Sequence, residues 1–240
     1  MQIDSAIARR RNGPWGSRAW PWILTLLLVA VFGFWKPYFG RFPGADPLTH
    51  VHVGLMLAWF ALLLLQPLLV LRGRRDLHRA FGKTGYVLVP AIVATAVLMG
   101  RQKIATAPPE AFGFAAMVLF LGLGTSVLFA VLWGLAMRHR RDPALHARYM
   151  VATALTLLDP ALARVMIFWA RPPGVQDLQM VSYGVISAIL LALIVLERKA
   201  PRGRGAFPAV LVLFVLMYVL CRTFAFSPTW QAFAHWLAAT

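Results

Sequence analysis

The stretch Pro143–Arg164, PALHARYMVATALTLLDPALAR, joins a basic, histidine-bearing start to a long apolar run. His146 and Arg148 lie in its first turns. Asp159 and Arg164 follow at a depth where a membrane-spanning helix would otherwise meet lipid. Because ionisable side chains are costly inside a bilayer, they usually face the interior of a helix bundle and mark a site. We therefore interpret this stretch as a transmembrane helix that carries part of a polar site.

The composition of the whole chain agrees with a membrane location. Of the 240 residues, 60% are hydrophobic and 13% are charged. A soluble domain has about 45–50% apolar and about 25% charged residues. Uncharged apolar runs of roughly 20 residues, the length that crosses the hydrocarbon core, recur along the chain. The sequence predicts an all-α fold, a polytopic transmembrane helical bundle.

Seven apolar segments define the predicted topology and domain organisation. A basic tail (1–19) precedes a transmembrane domain (20–226), and an amphipathic segment (227–240) is expected to lie in the outer membrane interface. The first apolar run lacks a small-residue cleavage site, so we interpret it as a retained span rather than a signal peptide. The predicted spans are 20–39, 50–71, 85–100, 112–137, 149–170, 179–196 and 206–226.

The distribution of basic residues predicts the orientation of these spans. Of 24 Lys and Arg residues, 17 fall in the tail and the loops on its side, six fall on the opposite side, and Arg164 lies within a span. Such an excess marks the cytoplasmic face, so the N-terminus is expected in the cytoplasm, in the inner membrane of a bacterium. Short basic loops, unlike a continuous basic face, do not indicate nucleic-acid binding. They are suited to anionic lipid headgroups.

Two inner loops contain similar sequences, RRDLHRAFG (Arg74–Gly82) and RRDPALHARYM (Arg140–Met150). Each has a histidine, His78 or His146, a few residues before a span that runs outward. The two imidazoles are therefore expected at the same depth. The similarity is open to two interpretations. It is either a weak internal duplication, or a coincidence between two inner loops that are both rich in basic residues, as cytoplasmic loops are.

Two imidazoles at one depth on two helices match the axial ligation of a b-type haem. In that interpretation His78 and His146 are the ligands, and Arg79 and Arg148 are candidates to pair with the haem propionates through charge-assisted hydrogen bonds. The alternatives are another metal, or interfacial histidines that bind lipid phosphate or nothing.

The outer histidines, His50 and His52, open the second span. Residues two apart on a helix point about 200° apart, so both cannot face one cofactor from a regular helix. Either one of them faces the bundle, or the turn is not yet helical and both chelate a metal. His52, Trp59 and Gln66 recur every seven residues and lie on one helix face, which is either an interhelical contact or part of a polar site.

Asp159 and Arg164, with Pro160 between them, are the ionisable residues expected deepest in the membrane. In a structural interpretation the two satisfy each other and fix helix packing. In a functional interpretation they form, with Gln66 as a further intramembrane polar residue, a site for a proton or a substrate anion. The chain contains no familiar catalytic motif, and its single cysteine, Cys221, excludes a multi-cysteine metal site. Whether the protein is an enzyme is left open.

The motifs HRAFG (His78–Gly82) and HARYM (His146–Met150), followed by DPALAR, resemble those of bacterial predicted integral membrane proteins of uncharacterised activity, over residues 50–166. A more remote similarity to cytochrome b561 rests on the paired helix-end histidines. That similarity implies haem b, with histidine pairs near both faces. The outer set here lacks a second helix unless His235 folds back onto His52.

Three functions follow from these residues. The first is a redox-type or cofactor-binding membrane protein in which His78 and His146 are ligands. The second is a small transporter, or a protein that binds lipid or another small molecule, with Asp159 and Arg164 in its pocket. The third is a structural subunit without chemistry of its own.

Overall fold

The computed structural model describes Gly16 and residues 19–170 and 175–240, without the side chains of 175–177. The predicted basic tail therefore lies almost wholly outside the described residues, which are helical and include no strand. The helices are α1 (Trp20–Trp35), α2 (Pro47–Leu71), α3 (Arg75–Gly82), α4 (Gly85–Ala105), α5 (Phe112–Arg138), α6 (Pro143–Leu155), α7 (Leu158–Val165), α8 (Val175–Leu196), α9 (Ala206–Thr223) and α10 (Pro228–Ala239).

Local sequence explains where several helices begin. The Asp46 carboxylate accepts hydrogen bonds from the backbone N–H (3.0 Å) and the hydroxyl (2.6 Å) of Thr49, and so caps α2. These bonds hold the pKa of Asp46 below its ordinary value. Asp142 caps α6 and Ser227 caps α10 in the same manner, and a proline follows each cap. Proline is favoured at the first helical position because no intrahelical partner is lost there.

The protein is a multi-pass membrane protein. Among the described residues, six helical segments are long and apolar enough to cross a bilayer. They are Pro47–Leu71, Arg75–Ala105, Pro109–Arg138, Pro143–Ala170, Leu178–Leu196 and Ala206–Thr223. The seventh predicted span corresponds to α1, which has only 16 residues. Its length of about 24 Å is less than the ~30 Å of a hydrocarbon core.

Contacts at its two ends show that α1 nevertheless runs the depth of the bundle. A Cβ atom on Gly16, just before α1, would lie 2.8 Å from the Cβ of Ala147, near the start of α6. At the other end, the Lys36 ammonium donates a hydrogen bond to the carbonyl of Phe168 (2.9 Å). Since Ala147 and Phe168 lie at opposite ends of one span, α1 lies alongside that span.

The structure differs from the prediction in two segments that matter for function. The loop expected between the second and third spans contains the helix α3, which holds His78. The fifth predicted span is two helices, α6 and α7, separated at Thr156 and Leu157. Pro160 has no N–H to donate to the carbonyl of Thr156, four residues earlier, and this weakens the helix at that point. The Thr156 hydroxyl instead donates to the carbonyl of Thr153 (2.7 Å).

The core consists of two main layers of apolar side chains. One joins α5, α6, α8 and α9, where Leu132, Ile186 and Phe214 are buried. The other joins α1, α2 and α4 to α5 and α6, and here Trp59 packs edge-on against Phe129 with ring centroids 5.1 Å apart. Because α5 and α6 contribute to both layers, polar residues on α6 and α7 lie in the middle of the bundle.

The C-terminal segment forms α10, and one face of it packs on the outer ends of α4 and α5. The indole N–H of Trp230 donates to the carbonyl of Ala116 (2.8 Å), and Ala234 is buried against Ile104. Trp236, by contrast, is 61% exposed. One face of this helix therefore packs against the bundle, and the opposite face is exposed.

Replacing Trp230 by Phe is expected to lower the free energy of unfolding by about 0.5–1.5 kcal/mol, because one buried hydrogen bond is lost. Thermal unfolding of the purified protein in detergent measures this change. Trp236→Phe, on the exposed face of α10, is the matched control and is expected to have almost no effect. Equal effects of the two substitutions would contradict the packed arrangement of α10.

Candidate functional site

The two inner histidines lie together. His78 on α3 and His146 on α6 have ring centroids 6.4 Å apart, with their planes at 84°. The α3 helix brings His78 back towards the bundle after the turn that ends α2, and the Asp142 cap fixes the start of α6 four residues before His146. The two similar loop sequences therefore meet at one place.

One of these imidazoles, that of His146, has a ring nitrogen hydrogen-bonded to a backbone carbonyl. The Nδ1 atom of His146 lies 2.9 Å from the carbonyl oxygen of Ala136. Because a carbonyl only accepts, Nδ1 must be the donor, and Nε2 of the neutral ring keeps a free lone pair. The ring of His78 interacts with the backbone carbonyl of Gln66. Its Nδ1 atom is buried and has no hydrogen-bond partner among the described residues.

Gln66 is the third polar side chain at this place. It is 8% exposed, and neither its amide nitrogen nor its amide oxygen has a partner in the part of the chain that the structure describes. A Cβ atom on Gly82, at the end of α3, would lie 3.8 Å from the amide nitrogen. Buried polar groups are nearly always hydrogen-bonded, so this group of unsatisfied atoms marks a place where a further group is needed.

The two arginines predicted beside the haem have different surroundings. Arg79 is exposed on α3. Arg148 is 2% exposed, and its Nε atom forms an ion pair with Glu197 at 2.6 Å. Its Nη1 atom donates to the carbonyl of Ala144 (2.8 Å). Arg148 therefore joins α6 to the end of α8, and of the two arginines Arg79 is the one open to a propionate.

The two imidazoles at the inner site could bind a metal whose remaining ligands come from a cofactor. Within the described ranges, no group of three or more His, Cys, Asp and Glu residues is placed to hold a metal ion. Two imidazoles alone cannot complete the tetrahedral site that zinc prefers. Two imidazoles would be sufficient protein ligands for a haem iron, because the porphyrin supplies the remaining ligands.

The outer histidines are not brought to one metal. α2 is helical from Pro47, so His50 and His52 point in different directions. Nδ1 of His50 is hydrogen-bonded to the Tyr38 hydroxyl (2.9 Å), and Nδ1 of His52 to the Thr95 hydroxyl (2.8 Å). Of the two alternatives left open by the sequence, a regular helix with separately facing rings is the one observed.

His235 does not complete an outer pair. Its ring stacks face to face on Phe112, with centroids 3.9 Å apart and planes at 8°. His52 is engaged with α4 through its bond to Thr95. The arrangement that cytochrome b561 similarity implies, with a histidine pair at each face, is therefore present at the inner face alone among the described residues.

Asp159 and Arg164 are close in sequence but form no direct ion pair within 4.0 Å in the described structure. Asp159 is 5% exposed and accepts a hydrogen bond from the hydroxyl of Ser182 on α8. Arg164 donates to the carbonyl of Pro160 (3.1 Å) and lies over the ring of Phe34 (4.7 Å to the centroid). The interpretation as a mutually satisfied pair therefore does not describe the geometry.

The partner of Asp159 was not predicted from the sequence. Ser182 and Gln179 lie one turn apart on α8, and both are buried. The only signal for them is two small or amide-bearing polar residues in an otherwise apolar span, a pattern that does not say which helix they face.

No protein-family model, no curated protein sequence and no solved structure matches this chain. The resemblance of the histidine motifs to those of other bacterial membrane proteins thus stays a prediction. The fold defines the class, a polytopic helical membrane protein, with polar groups buried at the inner end and in the middle of the bundle.

Proposed function

We propose that the protein is a membrane electron-transfer component that holds one b-type haem between His78 and His146 at the inner end of the bundle. The observation that carries this proposal is the 6.4 Å separation of the two ring centroids. Two imidazoles bound in line to one metal, at metal–nitrogen distances of about 2.0–2.1 Å, have centroids about 6.3 Å apart. The separation of the two rings therefore matches that of two imidazoles that share one metal.

The hydrogen bond of the His146 ring supports the same proposal. Metal-binding histidines usually donate their second ring N–H to a carboxylate or backbone carbonyl, which fixes the tautomer and makes the ligating nitrogen more basic. His146 has such a bond to Ala136, and His78 faces the carbonyl of Gln66. The ring nitrogens of His78 and His146 that have no hydrogen-bond partner among the described residues are then the ligating atoms.

Two further side chains have defined roles in this proposal. The Gln66 amide, buried without a partner among the described residues, is placed to hydrogen-bond to the bound group or to a water beside it. Arg79 is placed to pair with a propionate. Haem b supplies one-electron transfer, and an inner position favours a partner at the cytoplasmic face.

Absorption spectroscopy tests the proposal. Protein purified from haem-replete cells is expected to show a Soret band that shifts on reduction with dithionite. His78→Ala and His146→Ala are each expected to remove it. His139→Ala is the matched control, because His139 lies at the same end of the bundle but stacks on Tyr149 (5.9 Å) and belongs to no pair. It should retain the full band.

Measurement of bound metal separates haem from a bare ion. Iron or copper that is retained without a Soret band, and lost in His78→Ala, would show that the pair binds an ion and that the haem assignment is wrong. A colourless, metal-free protein whose folded yield is unaffected by either substitution would overturn the whole proposal. In alanine variants that fold but lack the band, addition of free imidazole should restore it, since imidazole fills the vacated ligand position.

A further inference from the structure

A second polar cluster lies at the break between α6 and α7, apart from the histidine pair. Asp159 lies in the first turn of α7, immediately after the break. The carbonyl of Thr156 faces Pro160, which has no N–H to donate to it. A broken transmembrane helix therefore places a carboxylate near a backbone oxygen that lacks its regular helical partner, within a membrane span.

The α8 helix presents two more oxygen atoms to this break. Ser182 is fully buried, and its hydroxyl contacts Asp159 Oδ1. The same hydroxyl lies 3.4 Å from the carbonyl of Gln179, one turn earlier. The side-chain oxygen of Gln179 is buried and has no hydrogen-bond partner in the described structure. An isolated buried acceptor is costly unless a donor or a cation satisfies it.

Among the described residues, no cationic side chain lies within 4.0 Å of the Asp159 carboxylate. Arg164, on the same helix, interacts with it electrostatically but at more than 4.0 Å, and its guanidinium is engaged with the Pro160 carbonyl. The other ionisable groups that face it, Tyr183 on α8 and Cys221 on α9, carry no positive charge. A buried carboxylate without a bound cation is strongly unfavourable, so an occupant of positive charge is favoured.

We propose that Asp159, Ser182, Gln179 and the Thr156 carbonyl form a binding site for one sodium ion. All four offer oxygen, the ligand atom that hard cations prefer. Unwound backbone at a broken transmembrane helix coordinates Na⁺ in secondary transporters, where irregular backbone lines a buried site. On binding, the Ser182 hydroxyl turns its hydrogen away from Asp159 and its oxygen towards the ion. The proposed site is separate from the histidine pair.

Binding of radioactive sodium to purified protein in detergent, at mildly alkaline pH where protons compete least, tests this proposal. Saturable binding of one ion is expected, together with a rise in the thermal unfolding midpoint in NaCl relative to choline chloride. Ser182→Ala and Gln179→Ala are each expected to weaken binding by roughly tenfold or more, as loss of a metal-site group does elsewhere. Asp159→Asn should abolish it.

Ser126→Ala is the matched control, because the Ser126 hydroxyl is bonded to a carbonyl of its own helix (2.7 Å). It should bind sodium as the unchanged protein does. Absence of saturable binding, or binding equally strong in Ser182→Ala and Gln179→Ala, overturns the proposal. An unfolding midpoint that changes with pH through Asp159 but not with sodium also overturns it, since the carboxyl then binds a proton. None of the substitutions at the sodium site is expected to change the absorption spectrum, because they lie apart from the histidine pair.

Discussion

Replacement of Glu197 by Ala is expected to lower the free energy of unfolding by about 3–5 kcal/mol, the cost of leaving a buried charge without its partner. Arg148 is 2% exposed and its ion pair with Glu197 is 2.6 Å long. A Cβ atom on Gly203 would lie 2.7 Å from Arg148 Nη1, so the side chain is also tightly enclosed. Denaturant unfolding in detergent, with folded yield, measures the loss.

Two comparisons make this result specific to the buried ion pair. Asp76→Ala breaks the Arg74–Asp76 pair, whose side chains are 56% and 62% exposed, and should change stability by no more than about 1 kcal/mol. The double replacement of Arg148 by Met and Glu197 by Leu should recover much of the stability, since neither charge is then buried. If Glu197→Ala is as mild as Asp76→Ala, the pair does not join α6 to α8.

Replacement of Gly33 by Val should separate α1 from the rest of the bundle. A Cβ atom at Gly33 would lie 2.6 Å from the backbone oxygen of Ala161 and 3.3 Å from Cγ2 of Val165. Because a backbone oxygen cannot move aside as a flexible side chain does, the two helices must shift. The free energy of unfolding is expected to fall by about 1–3 kcal/mol or more, as in other overpacked cores.

Gly134→Val on α5 is the control for this substitution. A Cβ atom there meets no other atom within 4 Å among the described residues, so only the intrinsic change from glycine is tested. Unfolding in detergent, together with protease accessibility of the N-terminal segment, distinguishes the two variants. Equal stability of both would show that α1 does not lie against α7.

The apolar segments were predictable because length and composition decide them. Predicted spans 85–100 and 206–226 correspond to α4 (Gly85–Ala105) and α9 (Ala206–Thr223), with similar starting residues. The short α1 and the break before Asp159 were not recognised. A window of apolar residues does not distinguish a continuous helix from an interrupted one, and Pro160 alone does not end a transmembrane helix, since neighbours can satisfy the freed carbonyl.

The depth of the polar residues in the membrane was predictable from the sequence, but the residues that they contact were not. His78 and His146 were expected at one level because each precedes an outward-running span. That expectation does not say that the rings approach to 6.4 Å, that Gln66 lies beside them, or that Arg148 is engaged with Glu197. Similarly, Asp159 was expected to be buried, but its partner Ser182 was not identified.

The sequence by itself determined the class of protein, the approximate positions of its helices and the depth of each polar residue. Only the tertiary structure decided which polar residues meet. In a soluble protein the apolar stripe of a helix shows which side faces the core. Here lipid-facing positions such as Leu28 and Val87 are as apolar as the buried ones, so the helix pattern carries no such information. The packing of the helices sets their rotation, and with it the composition of both sites.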